Sequence, residues 1–376
     1  MEYRRLGRTD ARVGLVGLGT EYLDKVPPDD VTRVVHAALD AGANYLDLFF
    51  GHPEIRDNIG AALHGKREKV MVAGHLGSAL RGDQYLKTRD SRVSETFFHD
   101  LLTRLRTDYI DVLMLHFVDL PEEFEYVFNR GPLELAKRFK QEGKARFIGM
   151  SGHNAATALA AVESGEIDVL MYPVNLVNHA MPERERLLQA CVANDVGLVV
   201  MKPYAGGKLL QREGVISILG HQAGWEGTRN RSAYGLSPAQ CLGYVLRQTG
   251  VSTVVPGCKN VQEVADAIHA LEASPDELDL AGVALGAEAF TEGGCVYCNH
   301  CLPCPAEIDI GGVMRLIDAA EASVSEDLRE AYEALHAKAS DCTECGACSK
   351  RCPYEVDVVF GMKHAVQLFE TAEELN

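Results

Sequence analysis

RFIGMSGHNAATALAAVESGEIDVLMYPVN, residues 146–175, contains the repeat on which the fold is built. Two short aliphatic runs without polar alternation, RFIGMSGH and IDVLMYPVN, flank a helical stretch that ends at Gly165. Such runs are typical of parallel strands buried on both faces, and a glycine is a common end for the helix that connects them. The stretch therefore predicts a strand–helix–strand unit.

The same pattern extends outward over residues 1–280. Six further runs predict strands: VGLVGLGT (13–20), NYLDLFF (44–50), KVMVAGHLG (69–77), YIDVLMLHF (109–117), VGLVVMKP (196–203) and VSTVVPG (251–257). Helical patterns separate them, so that strands and helices alternate eight times. We therefore predict an α/β fold, a (β/α)8 TIM barrel over residues 1–280. The alternative is an open doubly wound sheet, which seldom contains so many regular units.

The end of the chain has a different composition. Residues 281–376 hold 17 acidic residues against 6 basic ones, and eight of the 11 cysteines of the chain. A helical stretch from about Gly312 to Ser340 lies between two cysteine-rich segments. The change in composition predicts a second, small α-helical domain over residues 281–376.

The eight cysteines form two similar motifs. Cys295, Cys298, Cys301 and Cys304 follow C-x2-C-x2-C-x2-C-P, and Cys342, Cys345, Cys348 and Cys352 follow C-x2-C-x2-C-x3-C-P. This spacing is typical of [4Fe–4S] ligands and predicts two clusters in a ferredoxin-like module. Zinc sites, the alternative, use pairs of cysteines at wider separation. In two-cluster ferredoxins the fourth cysteine of each run ligates the other cluster, which would exchange Cys304 and Cys352. The first run has one residue fewer before its last cysteine, which leaves this exchange open.

Charge and hydropathy limit the partners. The net charge of −17 argues against nucleic acid or an anionic membrane as the main partner. The chain has no apolar run of transmembrane length, and its first residues, MEYRRLGRTD, are unlike a signal peptide. We therefore expect a cytoplasmic protein. The acidic cysteine domain suits a basic redox partner if the clusters transfer electrons, and a structural role for the clusters is the alternative.

Catalytic groups of barrel enzymes lie at the carboxyl ends of the strands. Three consecutive predicted strands end at Asp47, His75 and His116. With His52 these side chains have the donor types of a three-histidine, one-carboxylate metal site. A metal-dependent barrel lyase or isomerase with structural clusters is therefore one hypothesis, and a non-catalytic electron-transfer subunit is another.

Residues 1–280 resemble the aldo-keto reductases, and the cysteine tail resembles the iron–sulfur subgroup of that family. The resemblance lies in MEYRRLGRTDARVGLVGLGT, YLDLFFGHPEIRDNIGAAL, YIDVLMLH, RFIGMSG and VVPGCKNVQEV. It implies an oxidoreductase that interconverts a carbonyl and an alcohol through an Asp, Tyr, Lys and His tetrad. Asp47 and His116 match the Asp and His. His75 stands at the Lys position, and His52, or Phe50 in a shifted register, stands at the Tyr position.

The resemblance also implies NADP(H), bound by loops at the strand ends. Its candidate residues are Gly19, Thr20, Ser151, Asn175, Lys202, Pro203, Gly206, Gly207, Pro256, Gly257, Lys259 and Asn260. The helix after Asn260 should offer N–H groups to an anion, and Lys259 should meet a 2′-phosphate. The Asn and Gln that usually hold the nicotinamide amide are replaced by Gly152 and Met171. A flavin would connect two-electron nicotinamide to one-electron clusters, but no motif indicates one.

Overall fold

The computed structural model describes residues 1–179, 181–210, 215–222, 225–232, 235–281, 294–320 and 324–371. It divides into two compact units. The first comprises residues 1–80, 87–203 and 237–289, and the second comprises residues 81–86, 204–236 and 290–376. The second unit therefore draws on two segments that precede the cysteine motifs in the chain.

Eight parallel strands form the centre of the first unit. They are Leu18–Gly19, Tyr45–Leu48, Met71–Leu76, Ile110–Leu115, Ala145–Ser151, Val169–Pro173, Gly197–Met201 and Val251–Val254. Each pairs with its neighbour in chain order, and bridges from Val16 to Val254 and from Gly19 to Gly257 join the first strand to the last. This confirms the predicted barrel, because an open sheet would leave the two outer strands unpaired.

Helices follow the strands as the sequence predicts. In the first unit they are Pro28–Asp40, Pro53–Ala62, Ser91–Arg104, Pro121–Asn129, Pro132–Gln141, Ala155–Glu163, Arg184–Ala193, Pro238–Leu246 and Val261–His269. Their starts have clear local causes: Asp90 accepts hydrogen bonds from the N–H groups of Arg92 and Val93, and Ser237 forms a capping box with Gln240. The helix Pro121–Asn129 is an addition to the predicted set.

The interior of the barrel is filled by small and aliphatic side chains from successive strands. Ala73, Val112, Met114, Val169 and Val199 belong to one fully buried cluster. A packed interior leaves the carboxyl ends of the strands as the place where polar groups meet. Two antiparallel hairpins accompany the barrel strands, Tyr3–Arg5 with Arg12–Gly14 and Ser78–Arg81 with Gln84–Lys87.

The second unit is mostly helical. Its helices are Ile310–Ala320, Glu326–Glu333, Ala347–Arg351 and Val358–Ala365, with short 3-10 turns at Ala205–Leu210 and Ala339–Asp341, a π-helical turn at Val366–Glu370, and an antiparallel hairpin of Val215–Gln222 and Trp225–Ser232. The predicted helical insert between the cysteine motifs consists of two helices, the second capped by Ser325. Ile317, Tyr332, Val358 and Met362 are members of its core. Within the described ranges, no helix has the length and apolar character needed to cross a membrane.

Candidate active site and iron–sulfur ligands

Three strand ends of the barrel bring Asp47, His75 and His116 into one hydrogen-bonded chain. His75 Nε2 lies 2.9 Å from Asp47 Oδ1, and His75 Nδ1 lies 2.8 Å from His116 Nδ1. All three side chains are buried. Adjacent parallel strands place their ends side by side, so the sequence prediction that these residues converge agrees with the geometry.

The protonation of this chain follows from its contacts. Burial, followed by the nearby charges of His75 and Arg89, holds the pKa of His116 well below its ordinary value. His75 Nε2 can donate to the Asp47 carboxylate, and its Nδ1 shares one proton with Nδ1 of His116. Phe49 stacks on the His116 ring with the ring centroids 5.8 Å apart, which helps to fix its orientation.

Both positions considered for the Tyr of the tetrad lie just after the second barrel strand. His52 precedes the helix Pro53–Ala62, and its Nδ1 lies 3.0 Å from Asp24 Oδ2. Phe50 is buried, and its ring lies 5.5 Å from that of His52. Asp24 was not expected from the sequence, because it is 28 residues away and follows a short 3-10 turn. Only His52 of the two carries a proton that it can donate.

A second chain of polar groups lies at the same end of the barrel. His153 Nδ1 is 3.1 Å from Asp119 Oδ2, and Lys202 Nζ is 3.3 Å from His153 Nε2. Asp119 also accepts hydrogen bonds from the backbone N–H groups of His153 and Asn154. Burial opposes ionisation of Asp119, but His153 and these donors outweigh it and lower the pKa of the carboxyl. The sequence indicates Lys202 but gives no sign of its connection to Asp119.

The two buried histidines should make stability depend on pH. Burial lowers the pKa of both His116 and His153, so the unfolded chain takes up protons below its ordinary histidine pKa of about 6.5 while the folded chain does not. Stability is therefore present above about pH 6.5 and is lost as the pH falls toward the folded pKa values. Each group contributes up to about 1.4 kcal/mol per pH unit.

We expect the free energy of unfolding, from anaerobic chemical denaturation, to fall between about pH 6.5 and pH 5. His153→Gln should make this dependence less steep, whereas substitution of the exposed His64 by Gln should leave it unchanged. Equal slopes in all three proteins would contradict the assignment.

The predicted nucleotide-binding helix, Val261–His269, begins as expected, and a carboxylate of its first turn lies at its start. Asn260 caps the helix by accepting from Glu263 N, and the Glu263 carboxylate accepts from Lys259 N at 2.7 Å and from Asn260 Nδ2 at 3.1 Å. The expectation that this helix offers N–H groups to an anion stays a prediction, and the Glu263 carboxylate is a competing negative group at that end. Lys259 Nζ lies 5.4 Å from the centre of the Tyr22 ring.

Other predicted nucleotide ligands stabilise the end of the barrel. Thr20 Oγ1 donates to Asp47 O, Ser151 Oγ accepts from Phe117 N, and Asn175 Nδ2 donates to Lys202 O. Gly19 N donates to Pro256 O, and a side chain at Gly257 would collide with the Tyr22 ring. Pro203 is buried at the end of the seventh strand. Gly206 and Gly207 belong to the second unit, where a side chain at Gly206 would meet the backbone of Val296.

A metal site on the histidine cluster lacks geometric support. Both ring nitrogens of His75 are used, one toward Asp47 and one toward His116. Among the residues that the structure describes, no three His, Cys, Asp or Glu side chains are arranged to hold a single metal ion. A metal on this cluster would therefore require His75 to give up one of its partners.

The cysteines of the second unit gather across the two motifs. Burial and the nearby thiols of Cys298, Cys295, Cys352 and Cys348 raise the pKa of Cys301, so the last two cysteines of the second motif lie near the first motif. Burial also raises the pKa of Cys295 to about 12. Cys304, conversely, lines one cavity with Cys342, Cys345 and Cys348. These contacts fit exchange of the fourth ligand, and the exchange itself stays a prediction.

These residues fit iron–sulfur clusters. Several thiolates brought together repel one another, and the iron of a cluster removes that repulsion by ligating them. The backbone N–H of Ala347 lowers the pKa of Cys345, which favours the ligating thiolate form. The sequence does not predict the contact of Gln84 with the fourth cysteine of the first motif. The Gln84 side chain donates to Cys304 O and accepts from Cys304 N, which fixes the backbone of that residue. Cys345 of the second motif is exposed, whereas Cys298 of the first motif is buried. The cysteines of the second motif therefore include the one nearest to solvent.

Comparison with known proteins adds two family matches. Residues 12–282 match the model described as Aldo/keto reductase family, and residues 294–357, which include all eight motif cysteines, match the model described as 4Fe-4S dicluster domain. The NADH-specific methylglyoxal reductase of Escherichia coli (strain K12) is 24% identical over 315 residues, which cover 73% of this chain and 94% of that protein.

Two solved structures show the same fold. The holo form of aldo-keto reductase AKR11C1 from Bacillus halodurans superposes with a TM-score of 0.63 at 23% identity, covering 78% of this chain and 98% of that one. An aldo-keto reductase from Klebsiella pneumoniae in complex with NADPH gives a TM-score of 0.53 at 20% identity, covering 74% of this chain and 93% of that one.

Proposed function

The chain belongs to the aldo/keto reductase family and contains a 4Fe-4S dicluster domain, and from this we propose that it interconverts a carbonyl group and an alcohol with NADP(H). We further propose that its two [4Fe–4S] clusters transfer electrons. The observation that carries the first proposal is the buried Asp47–His75–His116 chain at the strand ends. It lies where this family has its catalytic Asp, Lys and His, with His75 in the place of the Lys.

We assign the oxygen-binding role to His116. It matches the His of the family tetrad, its Nδ1 is held 2.8 Å from Nδ1 of His75, and Phe49 stacks on its ring. Burial lowers its pKa and favours the neutral ring. The substrate oxygen would lie beside this fixed imidazole.

We assign proton donation during carbonyl reduction to His52. Its contact with Asp24 orients the ring through Nδ1, and a protonated imidazole then donates from Nε2. A histidine acts as a general acid near neutral pH without the lysine that a tyrosine needs. NADP(H), when bound, supplies or accepts the hydride, while these side chains handle the proton.

For the clusters we propose the exchanged ligand sets. Cys295, Cys298, Cys301 and Cys352 would hold one cluster, and Cys304, Cys342, Cys345 and Cys348 the other; the neighbouring thiols and the cavity described above support both sets. Because Cys345 is exposed, the second set is the more accessible place for electrons to enter from a redox partner.

The preference for NADPH over NADH should depend on Lys259 and Glu263, two neighbouring residues of opposite charge. Lys259 would attract the 2′-phosphate of NADPH, and the Glu263 carboxylate beside it would repel the same group. We expect Lys259→Ala to weaken NADPH binding by roughly 10- to 150-fold with little change for NADH, since a hydrogen bond to a charged group is worth roughly 1.5–3 kcal/mol. Glu263→Gln should strengthen NADPH and leave NADH nearly unchanged.

Isothermal titration of anaerobically purified protein with each nucleotide measures these affinities. The exposed Lys69 provides the matched control, and Lys69→Ala should change neither. Equal effects of Lys259→Ala on NADPH and NADH would contradict the proposal that Lys259 binds the 2′-phosphate.

Carbonyl reduction itself is tested with methylglyoxal, the substrate named for the Escherichia coli relative, as the probe. Anaerobic protein should oxidise NADPH or NADH in step with the alcohol that it forms. Oxidation of either nucleotide without alcohol would favour electron transfer to the clusters alone and would exclude carbonyl reduction of this probe.

A further inference from the structure

A buried charged group lies beside the first cysteine motif. Lys208 and Asp318 are 5% and 8% exposed, and Lys208 Nζ lies 2.8 Å from Asp318 Oδ2. Tyr297 donates its hydroxyl to the same carboxylate oxygen. All three residues belong to the second unit, although Lys208 comes from the segment after the seventh barrel strand.

This group is built into the ligand loop. Tyr297 lies between Cys295 and Cys298, and its backbone N–H points to Cys295 Sγ at 3.4 Å. Its side chain connects this loop to Asp318 in the helix Ile310–Ala320, and Lys208 Nζ lies 5.4 Å from the centre of its ring. The position of the ammonium is thus fixed from the loop, from the helix and from the 3-10 turn Ala205–Leu210.

The ammonium has donors to spare. It can donate three hydrogen bonds, yet among the described residues its close partner is the single carboxylate oxygen of Asp318, and no hydrogen bond of good geometry is present. A buried ammonium with unused donors is costly unless an acceptor lies nearby. Tyr297, whose ring lies 5.4 Å from the ammonium, belongs to the loop between Cys295 and Cys298. Cluster sulfur is an acceptor of the kind that would complete this site.

We propose that Lys208 raises the reduction potential of the cluster held by Cys295, Cys298, Cys301 and Cys352, with Asp318 and Tyr297 as the residues that position its ammonium. Reduction adds one negative charge to the cluster, and a buried positive charge stabilises that state because little water screens it. Charge and hydrogen bonds at the sulfurs are established determinants of cluster potential. This inference rests on the ligand sets proposed above.

The test is an anaerobic redox titration of the full-length holoprotein, followed by electron paramagnetic resonance, without nucleotide or carbonyl compound. Lys208→Met should lower one of the two cluster potentials. The expected shift is at least a tenfold change in the oxidised-to-reduced equilibrium, about 59 mV for one electron. Asp318→Asn, which keeps the ammonium and removes the negative charge, should raise the same potential. Lys208→Arg should preserve it.

The two variants should shift the potential in opposite directions, because one removes a positive charge and the other a negative charge. A purely structural effect of lost packing would not depend on the sign of the charge that is removed. Lys363→Met is the control: its side chain is 57% exposed and paired with Glu344, so solvent should screen it. If Lys208→Met does not retain iron, the proposal is tested by the reduction potential of Asp318→Asn, which should rise. Shifts of the same sign in both variants, or none larger than in Lys363→Met, would overturn the proposal. The outcome does not depend on carbonyl reduction.

Discussion

Cys304→Ser is expected to reduce the iron and sulfide of the anaerobically purified protein from about eight of each per chain to about four. The cluster lost should be the one that Cys342, Cys345 and Cys348 hold, although Cys304 belongs to the other motif. The reason is the shared cavity of these four thiols and the two hydrogen bonds by which Gln84 holds the Cys304 backbone. Iron and sulfide analysis with electron paramagnetic resonance makes the measurement.

Matched variants make this result specific. Cys345→Ser should remove the same cluster as Cys304→Ser, and Cys352→Ser should remove the cluster that Cys298→Ser removes. Cys258→Ser, in the barrel, should keep both, because Cys258 is a buried cysteine outside the motifs. If the spectrum of Cys304→Ser instead matches that of Cys298→Ser, each motif holds its own cluster and the exchange is wrong.

His52→Gln should lower carbonyl reduction by roughly 10²–10⁴-fold, the range over which a general acid contributes. Glutamine retains hydrogen-bonding capacity but cannot supply a proton, so nucleotide affinity should remain and kcat should fall. The measurement is the steady-state reduction of methylglyoxal with either nucleotide. Asp24→Asn should lower the rate less, since Asp24 orients His52 through Nδ1 without donating to the substrate.

The exposed His64 serves as the control, and His64→Gln should retain full activity. Full activity in His52→Gln would remove the proton-donor role from this residue. Because Phe50 has no proton to donate, water would then be the remaining donor at this position.

Sequence alone was sufficient for the barrel because its strands are buried on both faces. The unbroken aliphatic runs locate all eight strands, and the rule that catalytic groups follow strand ends brings together Asp47, His75 and His116. The helix Pro121–Asn129 was missed, since PEEFEYVFN lies in the connection between the fourth strand and its predicted helix and is outside the regular alternation.

What the sequence did not reveal are partners set by long-range packing. Asp24 beside His52, Asp119 beside His153, and Asp318 beside Lys208 join residues that are far apart in the chain. No local pattern marks such pairs, because their register depends on how neighbouring elements pack. Glu263 is a different case: it lies three residues after the helix cap Asn260, where capping rules place a carboxylate, and could have been predicted.

Hydride transfer is the most direct test of a carbonyl-reducing barrel. NADPH and NADH that carry deuterium at the transferred position are each mixed anaerobically with the holoprotein and methylglyoxal, and the product is analysed by mass spectrometry. The account predicts one deuterium, bound to the former carbonyl carbon, for each nucleotide oxidised, and much slower transfer in His52→Gln. Alcohol without deuterium, or nucleotide oxidised with the electrons recovered only in the clusters, would contradict it.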